Sequence, residues 1–282
     1  MKRLLRAAEG DPDRLVALLV ARLGLTDAEA RSLLRRGAIE LDGKRAMHDG
    51  PVAVGARVVA FVRDEAAPQV KVTVAYEDEH ILVLDKPAGL RSQAVRGDQT
   101  DTLIARAKRI ASGASLLHRL DRETSGLVLF PLTDRARLVL QKSLVDGKID
   151  RRYVARVEGA ITEPLRIALR IARDPRDPRR RLSRDEHDSA GDAAVTHVVP
   201  VKSDNEATVV RLTLETGRTH QLRVHLSAIG HAIYGDTMYD GPSAERLCLH
   251  AETLHFPHPH TGKPRVVESS APPIITTLAP LS

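Results

Sequence analysis

Nine residues near the middle of the chain, His118 to Gly126, read His-Arg-Leu-Asp-Arg-Glu-Thr-Ser-Gly and lead directly into the apolar run Leu-Val-Leu-Phe. The run predicts a strand, and the Thr-Ser-Gly before it predicts a turn. Asp121 therefore stands just ahead of a turn, with Arg119 two positions back. A neighbouring cation favours an ionised carboxylate, which can act as a covalent nucleophile. The structural alternative is an Asp that only caps the turn.

The composition is that of an ordinary soluble globular protein. The chain has 282 residues, of which 42% are hydrophobic and 28% charged, enough for one large domain plus a small one. No apolar run approaches the ~20 residues needed to cross a bilayer, and the first ten residues lack the apolar core of a signal peptide. The single cysteine, Cys248, excludes an internal disulfide and a cysteine metal cluster. We therefore expect a cytoplasmic protein without membrane contact.

The charge balance is mildly basic. There are 43 Lys and Arg against 37 Asp and Glu, a net charge of +6. This excess is compatible with a polyanionic partner but does not require one. Aromatic residues make up only 2% of the chain, which argues against a sheet of aromatic platforms for stacking single strands. If the partner is RNA, arginine side chains and backbone groups must provide most of the binding.

Residues 12–64 have a pattern of their own, which predicts a small α+β domain. Two short amphipathic helices come first, the second beginning after Thr26. A strand and a tight turn at Asp42-Gly43 follow, and then a further strand near Val58–Val62. Residues 65–70 predict a linker.

Residues 71–282 form the predicted large domain. Strand signals outnumber helices, which favours an α+β fold over a parallel doubly wound sheet. Helices are predicted near Thr102–Ala111 and Asp134–Val145. The segment Arg173–Asp188 is too charged to bury a core face and predicts a mobile hairpin or loop.

Several segments of residues 71–271 resemble, in the same order along the chain, the RluA family of pseudouridine synthases. The resemblance implies a core of mixed, mainly antiparallel sheet with flanking helices. It also implies that uridine in structured RNA is isomerised to pseudouridine. That reaction is redox-neutral and transfers no group, so it implies neither a cofactor nor a metal. The matching segments are Lys86–Leu90, His118–Gly126, Arg151–Gly159, Gly217–His225, Gly235-Asp236, Leu249–Ala251 and Phe256–Gly262.

The same resemblance assigns roles to individual residues. Asp121 would be the catalytic carboxylate, and Arg223 would hold and ionise it. Helical spacing places Arg223 on a flank beside the apolar stripe of its helix. Tyr153 would pack against the target uracil, and Arg119 would take the place of the flipped base. Further substrate-binding candidates are Thr124, Arg218 and His220.

Residues 12–64 resemble, in the order of their elements, the S-four-type RNA-binding domain. That resemblance implies an RNA-facing second helix and turn, with a phosphate-contacting surface. A solvated helix face is the plain alternative. The basic residues concerned are Arg31, Arg35, Arg36, Lys44 and Arg45.

Several alternatives stay open at this level. Asp121 could add to the uracil ring, attack the anomeric carbon, or abstract a sugar proton. Large-subunit ribosomal RNA is the favoured substrate and transfer RNA a second candidate, with the enzyme acting as a monomer. A non-catalytic RNA-binding or ribosome-assembly factor would retain the same fold. A metal-dependent hydrolase built on His255, His258 and His260 is the weakest alternative, because prolines break up that tract, and we expect a rigid turn near the active site instead.

Overall fold

A computed structural model describes residues 2–61, 71–94 and 101–278. The chain divides into two compact units, Met1–Val70 with Gln93–Thr102, and Lys71–Ser92 with Leu103–Ser282. The predicted linker at residues 65–70 lies outside the described residues. Within the described residues, no helix has the length and apolar character needed to span a membrane.

The first unit packs two helices on an antiparallel sheet of four strands in the order β1-β4-β2-β3. Gly24, with φ 67°, ends the first helix, and Thr26 begins the second through a capping box with Glu29. Asp42 and Gly43 both have positive φ, as a two-residue hairpin turn requires. The first strand precedes residue 12 and was not predicted. The elements are β1 (Lys2–Arg6), α1 (Leu15–Leu23), α2 (Asp27–Arg35), β2 (Ile39–Leu41), β3 (Lys44–Arg45) and β4 (Arg57–Phe61).

The second unit is built on a nine-stranded sheet in the order β5-β6-β7-β14-β8-β13-β12-β9, with β15 paired to β14. Among the pairs that the described residues form, β7 with β14 is parallel and the others are antiparallel. The strands are β5 (Thr73–Glu77), β6 (Ile81–Lys86), β7 (Ser125–Pro131), β8 (Asp150–Glu158), β9 (Leu165–Ala168), β10 (Arg170–Arg173), β11 (Arg181–Arg184), β12 (Val195–Ser203), β13 (Ala207–Leu214), β14 (Leu249–Pro257) and β15 (Pro264–Glu268). The helices are α3 (Leu103–Ile110), α4 (Asp134–Val145), α5 (Gln221–Ala228) and α6 (Pro273–Thr276).

Helices cover both faces of this sheet, which explains the uninterrupted apolar run of β7. Val128 and Phe130 point into a large core that also contains Leu103 of α3. Leu127 and Leu129 point to the other face, into a second core with Leu140 of α4. A strand that is buried on both sides needs apolar residues at every position. The predicted α+β fold, with a mixed and mainly antiparallel sheet, is confirmed.

The charged segment Arg173–Asp188 contains one strand of a separate two-stranded hairpin, β10 with β11. The hairpin prediction is thus confirmed where Arg181–Arg184 pairs with Arg170–Arg173. The backbone N–H of Arg181 donates a 2.9 Å hydrogen bond to the hydroxyl of Tyr239. This bond fastens the hairpin to the loop that follows α5.

Candidate active site

The loop that carries Asp121 is fixed where it enters β7. Ser125 and Gly126 lie opposite His250 and Ala251 in the parallel pair of β7 and β14. Gly126 has φ 112°, and a Cβ at this position would collide with the backbone of Ala251. Glycine is therefore required here, and the close approach of the two strands sets the position of the loop.

Lys86 holds the same loop from beneath. Its side chain is fully buried, and Nζ donates to the carbonyl oxygens of Pro87, Leu90 and Arg122 at 3.0, 2.9 and 3.0 Å. Burial lowers the pKa of Lys86 to about 7, with Asp121 acting in the opposite direction. The lysine thus joins the turn after β6 to the residue that follows Asp121.

His118 supports the loop from the core side. Its Nε2 accepts a 3.2 Å hydrogen bond from the backbone N–H of Leu129, in β7. Burial, assisted by Arg151, lowers the pKa of His118 to about 3. The ring is therefore neutral at physiological pH and acts as a structural acceptor.

Arg223 lies between two carboxylates. Its Nη1 is 3.4 Å from Oδ2 of Asp121, while Nε and Nη2 each lie 2.7 Å from an oxygen of Asp236. Asp236 is completely buried, whereas the side chain of Asp121 is 26% exposed. Burial opposes the charge of the guanidinium, but Asp236 and Asp121 outweigh it and raise the pKa of Arg223. The predicted partners meet, yet the stronger pair is with Asp236.

This arrangement corrects the predicted setting of Arg223. The helix begins at Gln221, and all residues from Gln221 to Leu226 are buried, so Arg223 does not lie on an exposed flank. The 3.6-residue period of this helix predicts one buried apolar stripe. It gives no indication that the opposite side of the helix is buried as well. Asp236 received no role from the sequence, although Gly235-Asp236 belongs to a matching segment.

His220 approaches the second oxygen of Asp121. Its Nε2 lies 3.8 Å from Oδ1, and its Nδ1 lies 2.8 Å from the hydroxyl of Tyr239. The residue has φ 58°, a left-handed conformation that few residues other than Gly, Asn, Asp and His adopt. Burial lowers the pKa of His220, while Asp121 acts against that shift.

Tyr153 lines the wall of the pocket in front of Asp121. The pocket is partly open to solvent, and Leu249 and Leu222 add apolar surface to it. The tyrosine is 5% exposed, and its burial raises the pKa of the phenol, so the ring stays protonated at neutral pH. An aromatic ring and apolar side chains beside a carboxylate form a pocket suited to a planar base.

The other predicted residues of this unit lie around the same pocket. Thr124 is buried in its wall, and Arg218 lies exposed at its edge with Nε bonded to the carbonyl of Ala193. Arg119 is exposed, and its Nη2 donates to the hydroxyl of Thr219 at 3.2 Å. Asp121, Tyr153, Arg223, Arg119, Thr124, Arg218 and His220 therefore share one pocket.

The predicted residues of the first unit form a separate set on α2 and β3. Arg31, Arg35 and Lys44 are exposed, and Arg31 forms a 2.7 Å ion pair with Asp27. Arg36 is half-buried, and its Nε donates to the carbonyl of Ser32.

The C-terminal histidines do not border this pocket. His258 lies 2.9 Å from Asp78 in the turn between β5 and β6, and His260 stacks on His80 at 4.5 Å. The turn is thus fixed by neighbours at the sheet edge, and the expectation that it packs near the active site is wrong. Within the described residues, no three His, Cys, Asp or Glu side chains are grouped as metal ligands.

Comparison with known proteins identifies the family. Residues 80–228 match the family described as RNA pseudouridylate synthase. The chain is 35% identical over 266 residues to ribosomal large subunit pseudouridine synthase D of Xanthomonas campestris, covering 85% of this chain and 78% of that protein. It is 36% identical over 212 residues to the dual-specificity RNA pseudouridine synthase RluA of Escherichia coli, covering 70% and 92%.

A solved structure supports the same assignment. Human RNA pseudouridylate synthase domain containing 1 superimposes with a TM-score of 0.61 at 25% identity, covering 72% of this chain and 84% of that one. The family match includes the Asp121 loop, Tyr153 and Arg223. The chain therefore belongs to the RluA family of RNA pseudouridine synthases.

Proposed function

We propose that this enzyme isomerises uridines of large-subunit ribosomal RNA, with Asp121 as the catalytic carboxylate. The observation that carries the residue assignment is the position of Asp121, partly exposed in a pocket between the Tyr153 ring and the Arg223 guanidinium. The substrate follows from the relative in Xanthomonas campestris, which is named for the large ribosomal subunit. Transfer RNA is the second candidate substrate.

The reaction breaks the bond from the anomeric carbon to nitrogen 1 of uracil and forms a bond from that carbon to carbon 5. Carbon 5 loses its proton, and nitrogen 1 ends protonated. We infer that the target nucleotide is flipped into the pocket, where Tyr153 packs against the base and Arg119 fills the vacated position. Addition to the ring, attack on the anomeric carbon and abstraction of a sugar proton all start from ionised Asp121.

Arg223 contributes to this step through its unequal contacts. Asp236 takes two of its N–H groups, so only Nη1 faces Asp121, at 3.4 Å. Arg223 therefore contacts only one oxygen of the Asp121 carboxylate. Asp121 is held in place and stays accessible, as a nucleophile or base must be.

The proposal is tested by tritium release from RNA labelled at carbon 5 of uridine, prepared from a strain that lacks the gene. Wild type should release tritium and Asp121→Asn should not, because the amide is neither nucleophile nor base. Asp134→Asn, whose side chain is 90% exposed on α4, is the control and should behave as wild type. Release by Asp121→Asn would refute the role of Asp121. No release by any protein, with RNA binding intact, would favour the non-catalytic binding factor.

We further propose that residues 12–64 bind RNA through Arg31, Arg35, Arg36 and Lys44. The support is the order of the elements together with the exposure of three of these cations on α2 and β3. The isomerisation needs no cofactor or metal. Monomeric state and cytoplasmic location stay predictions from the sequence.

A further inference from the structure

The two oxygens of Asp121 face different groups. Oδ2 faces the Arg223 guanidinium, and Oδ1 faces Nε2 of His220 at 3.8 Å. The imidazole is mostly buried, with 13% of its side chain exposed. Tyr239 lies behind it at the Nδ1 side, and the Arg223 guanidinium lies 5.0 Å from the Tyr239 ring. The His220 imidazole therefore lies between the carboxylate of Asp121 and the hydroxyl of Tyr239.

The hydrogen bonds of Tyr239 favour one of the two neutral tautomers of His220. A backbone N–H can only donate, so the Tyr239 oxygen is the acceptor for Arg181 at 2.9 Å. The single hydroxyl proton is then available for Nδ1 of His220, 2.8 Å away. Burial raises the pKa of Tyr239, so the hydroxyl keeps that proton. A hydroxyl that donates to Nδ1 leaves the proton of a neutral imidazole on Nε2, the nitrogen that faces Asp121.

Burial favours the neutral form of the imidazole. Burial is the main cause of the lowered pKa of His220, and the Arg223 and Arg181 guanidiniums act in the same direction. Asp121 and Asp236 act against them. A neutral ring with its proton on Nε2 is a hydrogen-bond donor that does not cancel the charge of the carboxylate.

We propose that His220 is a positioning residue for Asp121, with Tyr239 fixing the imidazole so that Nε2–H points at Oδ1. The inference rests on the proposed role of Asp121 in pseudouridine formation. At 3.8 Å the contact is longer than a hydrogen bond, and a shift of about 0.6 Å when RNA fills the pocket would close it. Arg223 and His220 together would then fix the plane of the carboxylate relative to the flipped base.

The left-handed backbone of His220 makes two conservative variants informative. In His220→Asn the amide nitrogen reaches the position of Nδ1, and Asn tolerates positive φ better than most residues. In His220→Gln the amide nitrogen reaches the position of Nε2, but Gln tolerates positive φ less well than Asn. If His220 matters only for its backbone conformation, His220→Asn should be the more active variant. The proposed role predicts that Gln is better.

The kinetic test is single-turnover tritium release with saturating enzyme, alongside direct measurement of RNA binding. We expect Tyr239→Phe to lower the rate roughly tenfold, the effect of one hydrogen bond that acts in the transition state, with RNA affinity unchanged. His220→Gln should stay within a few-fold of wild type, and His220→Asn should fall further. Adding Tyr239→Phe to His220→Gln should have little further effect. Equal rates for Asn and Gln, or a wild-type rate for Tyr239→Phe, would overturn the proposal.

A second measurement does not depend on RNA or on activity. Imidazole ¹⁵N chemical shifts report the tautomer of each histidine, and loss of a signal in His220→Gln assigns the one concerned. We expect Nε2–H in wild type and a mixture of tautomers in Tyr239→Phe. Nδ1–H in wild type would refute the inference even if the enzyme is active. Conversely, if His220 carries its proton on Nε2 but the enzyme releases no tritium, the proposed function is wrong and the arrangement proposed for His220 still holds.

Discussion

At the scale of single residues, the geometry of the candidate active site depends on how the Arg223 guanidinium is shared between two carboxylates. Arg223 gives two short contacts to the buried Asp236 and one longer contact to the partly exposed Asp121. A bidentate pair fixes the plane of a guanidinium, so Asp236 sets the direction of the remaining N–H groups. The buried carboxylate also balances the charge of Arg223, and Asp121 therefore remains available for chemistry.

Asp236→Asn tests this division of roles. The amide removes the balancing charge, so Arg223 should turn towards Asp121 and bind it more closely. We expect tritium release to slow at least tenfold with RNA affinity unchanged, and the free energy of unfolding to fall by about 3 kcal/mol. Asp240→Asn, in the same loop with its side chain 88% exposed, is the matched control. A wild-type rate for Asp236→Asn would show that Asp236 does not orient Arg223.

His118 provides a prediction about pH. Its pKa is about 3 in the folded protein and near 6.5 when exposed, so the native state binds fewer protons between these values. The free energy of unfolding should therefore fall as the pH drops below about 6.5, by about 1.4 kcal/mol per pH unit. In His118→Gln, which keeps an acceptor for Leu129, that contribution should be absent.

Urea unfolding of wild type and variant between about pH 8 and pH 5 measures the difference. His187→Gln, in the exposed part of the hairpin segment, is the control and should follow wild type. Parallel curves for wild type and His118→Gln would mean that the buried imidazole does not couple to folding.

The residue scale also shows what sequence reasoning could reach. The sequence predicts that Asp121 pairs with Arg223, because the segments that carry them resemble segments of the RluA family in the same order. Asp236 was not, because it lies 13 residues beyond Arg223 and no helical or strand period connects the two. The positive φ of His220 was equally hidden, since histidine gives no local signal for a left-handed backbone.

At the scale of elements, prediction succeeded where local chemistry sets the boundaries. Helix α4 was predicted at Asp134–Val145, and the Thr133 side chain caps it by accepting from Ala136. Strand β14 was missed because histidine and threonine interrupt its apolar pattern and Pro257 ends it. Its place in the middle of the sheet comes from pairing with distant strands, which no local pattern reveals. Strand β1 was missed for a similar reason. Its sequence has only two apolar residues between basic ends, and its pairing with β4 is distant in sequence.

Gly126→Ala tests the close approach of β7 and β14. The methyl group would collide with the backbone of Ala251 at a φ that disfavours any side chain. We expect loss of more than 4 kcal/mol of unfolding free energy, or failure to fold. Gly147→Ala is the control, because Gly147 also has a positive φ, of 69°, but open space around it. It should cost only about 1 kcal/mol, and equal costs in urea unfolding would contradict the steric argument.

At the scale of the whole molecule, the chain divides into two compact units, and the first contains Gln93–Thr102 as well as Met1–Val70. The proposed RNA surface of the first unit lies on α2 and β3, whereas Arg3 and Arg6 lie on β1, at the opposite edge of the same sheet. The two sets carry the same charge. Comparing variants of the two sets therefore distinguishes a specific RNA-binding surface from a general effect of positive charge.

Arg35→Glu combined with Lys44→Glu should weaken RNA binding and reduce the slope of log affinity against log salt by roughly 1 to 2. Arg3→Glu combined with Arg6→Glu has the same change of net charge and should leave the slope close to wild type. Filter binding across a salt series gives both values. Equal losses in the two double variants would mean that RNA responds only to net charge.

The parallel pairing of β7 with β14 also determines when the enzyme becomes competent during its synthesis. Ser125 and its partner His250 are 125 residues apart, and every residue between them must leave the ribosome before the two strands can meet. The Asp121 loop emerges well before the strand that fixes it. A nascent chain that stops short of β14 therefore carries the aspartate without a formed pocket, so we expect activity to begin only after β14 has left the ribosome.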